Sequence, residues 1–247
     1  MDERQLQDQC ELGQAQLMRM QYLAAERTLA AAEKIAWQRR DFDALARLYM
    51  PLQEARRQRR QRCGEGIVRL DLLARGTDDR IDARDIVEKY PNGQLLVAGW
   101  GSLEPALQVR RLQSQRDLYL DTFLASVYPM DGGRIVVIVA TDDSPLPPPD
   151  PMPLHELRRR IPPHSLILPE NQLPSGPMRG DTRTWGMIMA LWERLHAPFL
   201  AAADAQSDPL LKIAGFRKTI EVDYACELAH QHLSDVARQL CKSAPPP

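Results

Sequence analysis

Three groups of residues in this chain have types and spacings that suggest chemistry. The first is Gly99-Trp100-Gly101-Ser102, which follows the apolar run Leu95 to Ala98. A strand that breaks at glycines and enters a helix leaves backbone N–H groups free at the helix start, and these attract a phosphate or carboxylate. Asp142 and Asp143 follow another apolar run. On the same sheet edge they would supply a metal ligand or a ribose contact. The six-residue dinucleotide fingerprint is incomplete here, and no Gly-Lys-Ser/Thr follows, so a plain tight turn is the competing reading.

The second group is two Glu-x-x-His sequences, Glu193 with His196 and Glu227 with His230. A spacing of three places both side chains on one helix face, and two such pairs facing each other form half of a di-iron carboxylate site. The further glutamates of that site are not evident, and solvated surface pairs account for the spacing equally well. The third group is His155, His164, His230 and His232 as acid–base groups, with no nucleophile motif beside them.

The elements that must position these residues change character along the chain. Up to residue 63 the composition is that of helices, with Gly13 and Pro51 the exceptions after the first residues. Apolar residues recur three and four apart through Leu12, Ala15 and Tyr22, then Ala25, Leu29 and Ala32, then Phe42, Leu45, Leu48 and Leu52.

Leu12-Gly13, the small Ala25 twelve residues on, Leu29 and Ala32 together resemble one tetratricopeptide repeat. Gln16, Met20 and Trp37 depart from that family's pattern. The resemblance covers 35 to 50 residues and implies either a helical hairpin docked on the rest of the chain or a working repeat that binds another protein.

Arg56 to Arg62 holds five arginines that spread around the helix instead of forming one stripe, with no interleaved aromatic for base stacking. A solvated helix end is expected there, and nucleic acid is an unlikely partner.

From residue 67 the pattern is that of an α/β domain. Strands are expected at 67–73, 95–98, 118–127, 134–140 and 165–168, and helices at 82–90, 103–115 and 154–161. Pro129 to Gly133 makes a hairpin of the third and fourth strands. The Pro-rich loop 144–153 reads as a stiff extended connector. Long helices are expected at 185–200 and 219–240, with a shorter one between them and an unstructured tail at 244–247. Trp185, Met187, Ile188, Met189, Leu191 and Trp192 read as core packing or a partner surface.

The expected fold class is therefore α/β: an N-terminal helical hairpin (1–63), then a mixed, mostly parallel sheet with helices on its faces and a C-terminal helical cap (64–247). A net charge of −1 removes any global argument for nucleic acid or an anionic membrane. The first residues are charged and polar, unlike a signal peptide, and no apolar run is long enough to span a bilayer. Cys10, Cys63, Cys226 and Cys241 form no Cys-x-x-Cys pair and read as buried free thiols of a reducing compartment. The expected location is cytoplasmic.

These features favour an interaction or scaffold protein that binds another protein through its N-terminal helices. A small-molecule or nucleotide-binding α/β protein using the Gly99–Ser102 turn ranks second, and a carboxylate/His metalloprotein third. No cofactor is specified, and no catalytic residue can be assigned.

Overall fold

A computed structural model describes residues 3–143 and 145–243. Met1, Asp2, Ser144 and the tail 244–247 lie outside the described residues, so the first position of the Pro-rich loop and the expected unstructured tail do too. The chain divides into two compact units. Met1–Arg60 with His196–Pro247 form the first, and Gln61–Leu195 the second.

The first unit is helical. It contains α1 (Glu3–Met18), α2 (Tyr22–Arg39), α3 (Phe42–Gly64) up to Arg60, the end of α7 (Thr182–Asp204), α8 (Pro209–Val222) and α9 (Glu227–Ser243). Short turns join the first three helices, and Met20 and Arg40 take left-handed backbone conformations in those turns. Gly13 lets α1 approach α2 closely, since a Cβ there would sit 2.6 Å from the Leu29 side chain. Ala25, Leu29, Ala32, Leu45, Leu48, Tyr49 and Leu52 pack with Ile213, Phe216, Ala229 and Leu233 in one core. The C-terminal helices therefore complete the core of the N-terminal ones, and their apolar faces are covered there.

The second unit is the α/β part. Its strands are β1 (Ile67–Leu73), β2 (Gly93–Trp100), β3 (Leu120–Met130), β4 (Gly133–Val139), β5 (Leu166–Pro169) and β6 (Met178–Arg179), in the order β5-β4-β3-β2-β1-β6. Helix α4 (Ala83–Lys89) joins β1 to β2, and α5 (Glu104–Gln115) joins β2 to β3. Those two strand pairs are parallel. The β3–β4 hairpin, β4–β5 and β1–β6 pair antiparallel. The expected mixed α/β sheet with flanking helices is present, and its parallel part is β1, β2 and β3.

Strand β2 is buried along almost its whole length, which is why it reads as a continuous apolar run. Leu95 and Val97 join Ile86, Val87, Val109, Leu124 and Leu157 of α6 (Leu154–Arg160) in one cluster. Phe123 of β3 stacks on Trp192 of α7, with ring centroids 4.2 Å apart. Trp185, Met187 and Met189 are half-buried, while Ile188, Leu191 and Trp192 are core residues. Among the described residues no helix is long and apolar enough to cross a membrane.

Candidate functional site

The expected Gly99–Ser102 site exists as a turn whose contacts are filled by the chain itself. Gly101 has φ +61°, and a Cβ there would lie 2.5 Å from the Pro149 ring, so the Pro-rich segment rests directly on it. The Tyr128 hydroxyl anchors that segment by donating to the Pro147 carbonyl at 3.1 Å, while Leu146 and Met152 pack into the apolar cluster. Ser102 Oγ accepts the Glu104 N–H at 3.1 Å at the start of α5.

Asp142 and Asp143 are not at this edge. Trp100 pairs with Val127, whereas Val139 pairs with Leu124 on a strand running the opposite way. An antiparallel strand emerges where its neighbour enters. The two aspartates therefore leave the sheet beyond its other edge, where Asp143 takes a short hydrogen bond from Thr141.

The Glu-x-x-His pairs are not brought together either. The expected helix over 219–240 is interrupted between α8 and α9 at residues 223–226. Glu193 is exposed and belongs to the α/β unit. Glu227 is exposed at the first position of α9 and meets Gln53 at 3.5 Å. Among the described residues no group of three or more His, Cys, Asp and Glu side chains is placed to hold a metal ion.

His230 is fully buried. Its Nδ1 lies 2.8 Å from the Cys226 carbonyl, and its Nε2 lies 3.0 Å from Arg56. A guanidinium only donates, so Nε2 accepts and Nδ1 donates, which defines a neutral imidazole. Burial and the Arg56 charge push its pKa down to about 3.

His196 is in the opposite state. Burial pulls its pKa down. The hydrogen bond to Asp223 (2.8 Å from Nδ1), with the neighbouring Cys226 side chain and the Asp223 charge, outweighs burial and raises it to about 10. Asp223 is itself 1% exposed. Arg60 donates to it at 3.0 Å and the Ala225 N–H at 3.1 Å. Burial would raise the Asp223 carboxyl, but Arg60 and His196 hold it below its ordinary value.

These contacts revise the reading of the arginine run. Arg60 is 2% exposed, Arg56 and Arg59 both pair with Glu26, and Tyr224 lies under Arg59 and Arg60 at 4.3 and 4.6 Å. Helical spacing sends part of such a run inward, and the acids it meets are distant in sequence. His232 approaches Asp204 at 3.5 Å.

The sequence did not point to the cleft at the carboxyl edge of the parallel strands, where open α/β sheets hold ligands. It measures about 950 Å³, and Arg69, Asp71 and Arg75 line one side. The β3–β4 turn contributes Asp131 and Arg134, and the stretch after β5 contributes Glu170, Asn171 and Ser175. Arg134 of β4 donates to the Ala74 carbonyl beyond β1 at 3.2 Å. Two strands separate β1 from β4, so the sheet curls to bring these ends together.

The chain from β5 crosses this edge to reach β6. Asp71 holds it there by accepting the Gly176 N–H at 2.8 Å. Arg134 is clamped by both Glu170 oxygens at 2.5 and 2.7 Å, and Arg69 pairs with Asp71 at 2.5 Å. These pairs fix the walls of the cleft. Arg75 and Asp131 are exposed residues that line it, one of each charge. No single segment carries the site, so periodicity and motif could not find it. The one available signal was the charge alternation Arg69, Asp71, Arg75 at the end of a strand.

No protein-family model, curated protein or solved structure matches this chain.

Proposed function

We propose that the α/β unit binds a small polar molecule with an anionic group in the carboxyl-edge cleft. The observation that carries this reading is the cleft itself. Its volume of about 950 Å³ is at the upper end of the usual ligand-pocket range, and it lies at the sheet edge where α/β domains bind ligands. Its clamped ion pairs, Arg134–Glu170 and Arg69–Asp71, provide rigid walls. Arg75 is the group for the ligand's anion, and Asp131 and Asn171 face its hydrogen-bond donors. This keeps the small-molecule reading of the sequence and moves its site away from Gly99–Ser102.

The test is a thermal-shift screen of the full chain against nucleoside phosphates, sugar phosphates and small carboxylates. A ligand at about 100 times its Kd adds roughly 2.7 kcal/mol of apparent stability. At least one class should raise Tm, and Arg75→Ala should remove most of that rise. No response to any class, or a response that Arg75→Ala leaves intact, contradicts the proposal.

A second reading, docking of another protein on the N-terminal helices, is supported by exposed apolar side chains there. Leu12, Met18 and Met20 are 52%, 84% and 66% exposed, in and just after α1. Replacing all three with Ser should leave Tm unchanged and abolish any stoichiometric partner that co-purifies with the native chain. Retention of that partner counts against docking at this surface. The four free thiols support a reducing, cytoplasmic setting for either reading.

A further inference from the structure

Helices α4 and α5 lie side by side on one face of the sheet, where Ile86, Val87, Ala106 and Val109 share one core. Their outer surfaces leave a groove of about 570 Å³ that shares no lining residue with the carboxyl-edge cleft. Three guanidiniums line it. Arg80 precedes α4, Arg84 lies in its first turn, and Arg111 lies on α5. All three are exposed. Among the described residues the Arg80 and Arg84 side chains have no hydrogen-bond or ion-pair partner. Arg111 meets Glu104 of its own helix at 3.0 Å, with the two side chains 60% and 50% exposed, and such a pair yields readily to a competing carboxylate. Among the described lining residues the one acid is Asp82. Its carboxylate is already committed, since it accepts the Arg84 N–H at 2.7 Å as the cap of α4.

The floor of the groove is apolar. Ile81 and Leu112 are half-buried against the same core and line the groove as well. Gln108 and Gln115 complete the α5 wall, and with Arg111 and Leu112 they recur three and four residues apart on one helix face. That stripe runs for about two helical turns, or about 10 Å, so the groove is linear.

We propose that this groove docks an extended acidic segment of a partner protein, with an aliphatic side chain between its acids. The basis is charge complementarity around an apolar floor. Carboxylates on one side of the aliphatic residue meet Arg80 and Arg84 at the α4 wall, and those on the other side meet Arg111 at the α5 wall. Each guanidinium presents the fork that matches a carboxylate. The aliphatic side chain covers Ile81 and Leu112. The Gln108 and Gln115 amides, which both donate and accept, serve the main chain of the segment. A nucleic acid fits this lining less well. It holds no aromatic side chain for a base to stack on, and three arginines fall short of a stripe that tracks a phosphate backbone.

The test is fluorescence anisotropy of the full chain with a fluorescein-labelled peptide of glutamates around a central leucine. Saturable binding is expected. Replacing Arg80 and Arg84 together with Ala should weaken it at least about tenfold, because hydrogen bonds to charged groups are lost, while Tm stays unchanged. Exchanging the central leucine of the peptide for serine should weaken it on the order of tenfold through the lost apolar contact. No saturable binding, or binding that the double variant leaves intact, overturns the proposal. So does a loss in Arg75→Ala as large as that in the double variant, which would place the peptide in the cleft. Tighter binding of a labelled oligothymidylate makes the groove a nucleic-acid site, and equal competition by succinate makes it a small-anion site; either result overturns the proposal.

A measurement on the native chain covers a double variant that fails to fold. A peptide of lysines around the same leucine should not bind. Binding of the lysine and glutamate peptides with equal affinity overturns the charge match.

Discussion

The two units use charge in opposite ways. In the helical unit Arg60, Asp223, Glu26 and Glu33 are buried, and each is tied to partners far away in sequence. In the α/β unit the sheet interior is largely apolar, with buried Asp121 held by Gln94 at 3.0 Å, and charged residues gather at the carboxyl edge around an open cleft. Buried ion pairs hold a geometry but are poorly placed to greet a ligand, because their charges are already spent on each other. Rim charges with clamped neighbours hold little of the fold together and remain available for binding. The contrast predicts where substitutions affect stability and where they affect binding.

The largest expected effect is at Arg60. Replacing it with Ala leaves Asp223 buried without its guanidinium and should cost about 3–5 kcal/mol in denaturant unfolding of the full chain. Arg134→Ala, at the cleft wall with 27% exposure, should cost only about 1 kcal/mol. Equal losses at the two arginines would break the comparison.

The pH dependence is next. The folded pKa of His230 lies near 3, below the unfolded value of about 6.5. The unfolded chain therefore binds a proton that the folded chain refuses, and stability falls as pH drops from about 6.5 towards 3. His196 works in the other direction. Its folded pKa near 10 adds stability that is fully present below about 6.5 and is lost as pH rises through 10. Asp223, held below its ordinary value, keeps its contribution above the usual carboxylate range and loses it as pH falls beneath that range. Unfolding midpoints across pH 3 to 10 should therefore peak near 6.5, and His230→Gln should flatten the acid side. A flat wild-type profile would mean that these histidines do not hold the helical unit.

A smaller effect separates the Gly99–Ser102 turn from the cleft. Gly101→Ala places a Cβ against Pro149 at a positive φ, and should lower stability by about 1–3 kcal/mol. It should leave the cleft's ligand affinity unchanged. Smallest of all, Arg75→Ala should move stability by no more than about 0.5 kcal/mol while weakening the ligand. Calorimetric unfolding of the two variants, each titrated with any ligand found in the thermal-shift screen, reads both quantities.

The sheet was legible because buried strands need apolar runs and turns need glycine and proline. Leu95 to Ala98, Arg134 to Ala140 and the Pro129–Gly133 turn all lie where local pattern places them. The partners of the C-terminal helices were not legible. An apolar face such as Ala229, Leu233 and Val236 states that something covers it, and does not state whether a sheet or other helices do.

The interruption at 223–226 was hidden for a related reason. Asp223, Tyr224 and Cys226 have no helix-breaking signature, and the conformation follows from Arg60 and His196, both distant in sequence. The cleft is assembled from three separated segments, and no spacing rule reaches across them. The pairing of Gly101 with Asp142 failed on direction, since the hairpin that follows β3 carries Asp142 to the opposite edge.

The claim that the α/β unit carries its open charges for a ligand is tested most directly by NMR. Amide shifts of the full chain would be recorded with inorganic phosphate, glucose 6-phosphate, adenosine monophosphate and succinate in turn. The account predicts saturable shifts for at least one probe, centred on residues 69–75, 130–135 and 169–175, and absent in Arg75→Ala. Shifts centred on Gly99–Ser102, or no saturable shift with any probe, would contradict it.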